Sequence, residues 1–168
     1  MKRILLFLSL CLFVLLVGCT NGQDEEADKE KSDEKSVSLQ EQIENLMNEN
    51  KFKYDKIVDL DIIDDFIYSV SLNHNGGLDL AIMNYNNGTL KWIVGDNSAT
   101  ILQDKGSRYM YVIESEDPDV EQVNVLGEPA KAVTYYDEKT EDYTRKIKYW
   151  VAYTEEEPAP SDLEYIKK

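Results

Sequence analysis

Two cysteines, one histidine and an excess of carboxylates are the side chains in this chain with reactive potential. Cys11 lies inside an apolar run and Cys19 stands just beyond its end. His74 is the sole histidine, within Asn73-His74-Asn75-Gly76-Gly77. That segment reads as a turn, where polar residues are expected on conformational grounds alone. A Ser-His-Asp triad would need His74 as its base, but the chain has no Gly-x-Ser-x-Gly elbow. Zinc takes three or four Cys, His or carboxylate ligands, and one histidine makes a poor start. No Walker loop or dinucleotide fingerprint is present. The reading at this level is a non-enzyme with no metal and no cofactor.

Carboxylates are abundant, so proximity in sequence says little. Asp59, Asp61, Asp64 and Asp65 form one cluster; Glu114, Glu116, Asp117, Asp119 and Glu121 form another. Calcium favours several oxygen ligands from a flexible loop, but neither cluster follows the Asp-x-[Asp/Asn]-x-[Asp/Asn]-Gly pattern. Ordinary surface acidity accounts for both. A glycosidase would use two carboxylates at a defined separation across a cleft, and nothing in the sequence selects such a pair.

The N-terminus carries a different kind of chemistry. Lys2 and Arg3 precede Ile4 to Val17, a run that is apolar but for Ser9. It is shorter than the span of about 20 residues that crosses a bilayer, and has the length and flanks of a signal-peptide core. It ends in Leu16-Val17-Gly18-Cys19. This tetrapeptide resembles the lipobox of bacterial lipoproteins of the Gram-positive type. The resemblance implies export, removal of residues 1–18, and a diacylglyceryl group on Cys19. Lipid on Cys19 would hold the protein on the extracytoplasmic face of the cell membrane. Two acyl chains make a durable anchor, each buried methylene contributing about 0.8 kcal/mol. With Cys11 removed and Cys19 acylated, the remaining domain has no thiol and no disulfide, and must be held by core burial alone.

The chain has 18 basic and 33 acidic residues, a net charge of −15. Without residues 1–18, and so without Lys2 and Arg3, 16 basic residues would face 33 acidic ones, a net of −17. Such a surface repels nucleic acid, and no basic stripe offsets it. Thr20 to Ser36, TNGQDEEADKEKSDEKS, lacks any aromatic or large apolar residue. It cannot bury enough surface to offset ordering entropy. Residues 19–37 therefore read as a disordered acidic tether, with an end-to-end distance of roughly 25 Å.

Residues 38–168 must supply whatever positions a functional site, and their length suits one domain. Ser38 is placed as an N-cap with Glu41 completing a capping box. Leu39, Ile43, Leu46 and Met47 fall on one helical face. After Lys51 the period changes to two. Tyr54 to Ile63, then Phe66, Tyr68, Val70 and Leu72, then Leu78, Leu80 and Ile82, then Leu90, Trp92 and Val94 read as strands of a meander. Asn87-Gly88 suits a type I′ turn, which also explains Asn87-Gly88-Thr89 better than glycosylation does. Further strands are expected at Tyr109–Ile113, Val120–Val125, Ala130–Tyr136, Tyr143–Tyr153 and Leu163–Ile166, with a turn at Gly127-Glu128-Pro129. The expected fold is mainly β (α+β), one short N-terminal helix packed on antiparallel meander and hairpins of about seven to eight strands. Two β units meeting near residue 105 are an alternative arrangement. Val123-Asn124-Val125, Gly127-Glu128-Pro129-Ala130 and Tyr149-Trp150-Val151-Ala152 also resemble strand segments of secreted lipoproteins of Gram-positive bacteria, a likeness that implies no activity.

Tyr135, Tyr136, Tyr149, Trp150 and Tyr153 concentrate in the last hairpin. Tyrosine and tryptophan give large contact area at low entropy cost, so one face of this hairpin is a candidate binding surface. The same residues also suit ordinary strands. The function expected from these features is a non-catalytic binding or interaction module on the outer face of the membrane, meeting an envelope protein or a small extracellular ligand. The alternatives are an envelope-acting hydrolase with a carboxylate pair, and an inhibitor or immunity lipoprotein with an acidic surface.

Overall fold

The computed structural model describes residues 37–104 and 106–168. The apolar run, Cys19 and the acidic segment up to Ser36 lie outside the described residues. Val37 to Lys168 forms one compact unit.

The helix begins where the capping signal places it. Ser38 is extended at the N-cap and its Oγ accepts from the Glu41 N–H at 3.2 Å. Helix α1 runs Leu39–Glu49. Asn50 closes it by donating its side-chain amide to Leu46 O at 2.9 Å, and Lys51 then turns the chain at a positive φ of 57°. Ile43 and Met47 are buried, with Leu39 and Leu46 packed beside them.

Eleven strands follow among the described residues: β1 Lys56–Ile63, β2 Phe66–Leu72, β3 Leu78–Asn86, β4 Thr89–Asp96, β5 Ile101–Leu102, β6 Tyr109–Glu114, β7 Val120–Val125, β8 Glu128–Pro129, β9 Lys131–Thr140, β10 Tyr143–Thr154 and β11 Leu163–Lys167. The mainly β fold with one short helix is thus as expected. The larger number of strands includes β5 and β8, of two residues each, too short to show a period. Pairing is antiparallel throughout, in three sheets. Sheet I has the order β1-β2-β3-β4, sheet II β5-β6-β10-β9, and sheet III β11-β7-β8. The segment near residue 105 joins β5 to β6, which pair with each other.

The three cores explain how the layers stack. Ile67, Ala81 and Met83 on one face of β2 and β3 meet α1 and Phe52. Tyr68, Val70, Leu80 and Ile82 on the other face meet Ile147, Tyr149 and Val151 of β10. Trp150 and Ala152, on the opposite face of β10, meet Val120, Val123 and Val125 of sheet III. Sheets I and II are therefore each covered on both faces. Strands buried in this way lose the polar-out alternation of a half-exposed sheet, and β2 is buried from Ile67 to Leu72.

One turn is as expected, and two differ from expectation by small shifts. The Asn87-Gly88 hairpin has both residues at positive φ, 50° and 75°, as a type I′ turn requires. The β7–β8 turn is instead Leu126-Gly127, with φ of 53° and 82°, so Glu128 and Pro129 belong to a strand. The β9–β10 hairpin extends further than expected, pairing out to Thr140 and Tyr143.

Candidate functional site

The aromatic residues of the last hairpin do not form one open face. Tyr149 is 0% exposed and Trp150 is 1% exposed. The strand's alternation sends Tyr149 into the layer between sheets I and II and Trp150 into the layer between sheets II and III. Of the two readings of these aromatics, open binding face or ordinary strand packing, Tyr149 and Trp150 follow the second, because sheet III covers the face that sheet I leaves. Tyr153 and Tyr135 are half-buried against the first core. Tyr136, at 59% exposure, is the one residue of the five that stands in solvent. Lys148 lies 4.5 Å from the centre of the Trp150 ring and donates to Val120 O at 2.7 Å, sealing that side.

The clustered carboxylates meet unexpected partners. A bulge in β1 shifts its register between Ile57, opposite Ser71, and Asp59, opposite Val70. One inserted residue exchanges the two faces of the strand beyond it. Asp59 and Asp61 thereby share the face of Val70 and Tyr68, toward sheet II, while Leu60 and Ile62 turn outward. Lys131 of β9 meets the acids, its Nζ donating to Asp59 Oδ2 at 2.7 Å and to Asp61 Oδ2 at 2.5 Å. Tyr153 donates its hydroxyl to Asp61 Oδ2 at 2.7 Å. The Tyr153 ring lies 4.8 Å from that of Tyr68.

The electrostatics of this group suit a structural ion cluster. Burial pulls the Lys131 ammonium down, but hydrogen bonds and charge from Asp59 and Asp61 outweigh it and hold the group above the usual lysine range. Burial, reinforced by the two aspartates, raises Tyr149 and Tyr153 far above the ordinary tyrosine value. Groups held this far from neutrality do not exchange protons near pH 7. Asp64 instead lies 3.4 Å from the Arg108 guanidinium, and Asp65 accepts from the Asn86 amide at 3.0 Å. In the second cluster Asp117 pairs with Lys167 at 2.6 Å, and this bond holds its carboxyl below the usual range. Among the described residues, no group of three or more His, Cys, Asp or Glu is placed to hold a metal ion.

A concave site lies elsewhere. The loop from α1 to β1, the β2–β3 turn and the loop after β4 border an open cavity of about 810 Å³. Asp79, 0% exposed, is the pin of its wall. Its Oδ1 accepts from the Asn73 amide at 2.7 Å and its Oδ2 from the Asn97 amide at 2.6 Å. The Asn97 amide also donates to Lys53 O at 3.0 Å, tying in the α1–β1 loop. Asn73 Oδ1 accepts the backbone N–H groups of Asn75 and Gly77 at 3.0 and 2.9 Å. Behind the turn, Arg145 donates to Gly76 O at 2.9 Å, and a Cβ at Gly76 would stand 2.2 Å from that guanidinium. Phe52, buried against Trp92 at 5.5 Å, supplies the apolar floor. His74 lies on the rim, 3.8 Å from Asp55 and almost fully exposed. In the sequence the Asn-rich segment has the composition of a turn alone; the signal for the site is Asp79, an acid facing inward within the apolar run Leu78 to Met83.

The class that this geometry defines is a helix-covered domain of three stacked antiparallel sheets. Comparison with family models, with curated proteins and with solved structures finds no match to the chain.

Proposed function

We propose that this protein is a lipoprotein anchored through Cys19 on the extracytoplasmic face of the membrane, and that its folded domain is a non-catalytic binding module. The observation that carries the binding half is the open cavity walled by the Asp79 pin. Its volume is within the range of small-molecule sites, and its wall is fixed in advance by hydrogen bonds. A carboxylate-pair hydrolase finds less support, because Asp59 and Asp61 are both held by Lys131. The anchoring half rests on Leu16-Val17-Gly18-Cys19 and the apolar run before it. Metabolic labelling with palmitate tests it: the intact chain takes up label and a Cys19→Ala chain does not. Equal labelling of the two would end this reading.

A further inference from the structure

We infer that the cavity between the α1–β1 loop and the β2–β3 turn binds a neutral, polyhydroxylated ligand, a short oligosaccharide. The inference deepens the binding-module reading and rests on it. Sugar hydroxyls both donate and accept, and the side chains that answer them best are amides, which do the same. Asn48 and Asn75 line the cavity, and neither side-chain amide has a hydrogen-bond partner among the described residues. The half-buried Tyr54 contributes an aromatic ring and a hydroxyl, and its ring centre lies 6.3 Å from that of the Phe52 floor. Aromatic rings beside polar groups suit a ligand with apolar C–H faces and hydroxyl edges.

Two further features select the class. The amides of Asn73 and Asn97 are spent on Asp79, so the wall is ordered before a ligand arrives and little entropy remains to be lost. Exposed charge at the rim is small, Lys51 and Lys53 standing against Asp55 while Asp79 is sealed in the wall, within a chain of net charge −15. One surplus lysine does not make an anion site, and phosphate is the ligand that tests this.

The test is a titration of the ¹⁵N-labelled full chain, followed by backbone amide signals, with chitotriose, with maltotriose and with inorganic phosphate. Each is taken to about 10 mM, where a ligand with a Kd of about 1 mM fills most sites. The expected result is a set of shifts with one or both sugars, confined to Asn48, Tyr54 and the Asn73–Gly77 turn. A Tyr54→Ala/Asn75→Ala chain, whose remaining signals keep the parent pattern, should raise the Kd read from those shifts at least about tenfold, a loss of about 1.4 kcal/mol in affinity. Three results would overturn the inference: no shift with either sugar, shifts at the turn with phosphate alone, or sugar shifts that persist unchanged in the double variant. Palmitate labelling of the same chain is read separately, so loss of the ligand class and loss of the anchor are told apart.

Discussion

The Tyr153 hydroxyl crosses from β10 to β1 and donates to Asp61 Oδ2 at 2.7 Å. Asp61 is an inward-facing acid, its side chain 26% exposed, and it depends on Tyr153 and Lys131 to replace lost water. A hydrogen bond to a charged acceptor contributes about 1.5–3 kcal/mol, and deleting the donor leaves the carboxylate short. Tyr153→Phe should therefore destabilise the domain by about 2 kcal/mol, seen as a lower urea midpoint at unchanged slope. An unchanged midpoint would show that the bond adds nothing to the fold.

Tyr149 makes the opposite prediction two residues away. Its hydroxyl is buried with no hydrogen-bond partner among the described residues. A buried hydroxyl without a partner costs free energy, and its removal gives that cost back. Tyr149→Phe should be neutral or stabilising by about 1 kcal/mol at pH 7. A loss as large as that of Tyr153→Phe would contradict the unsatisfied hydroxyl.

The same tyrosines set the alkaline limit of stability. In the unfolded chain they ionise near the ordinary value of 10.0, while burial and the nearby aspartates keep them protonated well above it in the fold. A folded value raised above the unfolded one gives stability that is complete below about pH 10 and falls as pH rises beyond it. Lys131, also raised, acts in the same direction above its ordinary 10.5. Each group adds at most about 1.4 kcal/mol per pH unit. Urea midpoints should fall steeply from about pH 10 upward, and Tyr149→Phe should flatten that fall. A midpoint constant to pH 11, about one unit beyond the tyrosine value, would refute the assignment.

Gly95 tests the packing under the cavity. A Cβ there would stand 2.5 Å from the Trp92 ring and 2.7 Å from Phe52. Neither aromatic is a flexible end that can move aside, since both pack against the α1 core. Overpacking of this kind costs about 1–3 kcal/mol. Gly95→Ala should lower the urea midpoint accordingly and alter Trp92 fluorescence; a variant matching the parent in both would mean that the floor is loosely packed.

What could be read in the sequence is what local rules decide. Ser38 and Glu41 mark the helix start, the 39/43/46/47 spacing gives its buried face, and Asn87-Gly88 gives its hairpin, because each signal lies within a few residues. The turn at Leu126-Gly127 escaped because leucine rarely takes a positive φ, while the neighbouring Gly127-Glu128-Pro129 has the composition of a turn. Asp59 and Asp61 read as solvent-facing because the bulge before Asp59, which exchanges the faces of β1, leaves no mark in composition. Alternation alone puts Tyr149 and Trp150 on opposite faces of β10 and does not say whether both faces are covered. The cover over Trp150 comes from β7 and the distant β11, which pair across about 40 residues of chain, beyond any local rule. The candidate cavity was hidden for the same reason: its wall joins Lys53, Asn73, Asp79 and Asn97 through hydrogen bonds between separate loops.

Asp79 offers the sharpest test of that wall. Asp79→Asn keeps size and shape but replaces one acceptor oxygen with an amide that can only donate. Neither neighbour can adapt at no cost. Asn73 cannot flip its amide without losing the Asn75 and Gly77 N–H groups on its Oδ1, and Asn97 cannot flip without losing Lys53 O. One donor must then face another at a side chain that is itself shielded from solvent, at a cost of about 1–3 kcal/mol. The β2–β3 turn should loosen with it. Asp79→Asn should lower the urea midpoint and speed hydrogen exchange at the Gly77 amide, while the amide of Val123 in sheet III keeps parent protection against local opening. Parent stability together with parent exchange at Gly77 would mean that Asp79 does not hold this wall.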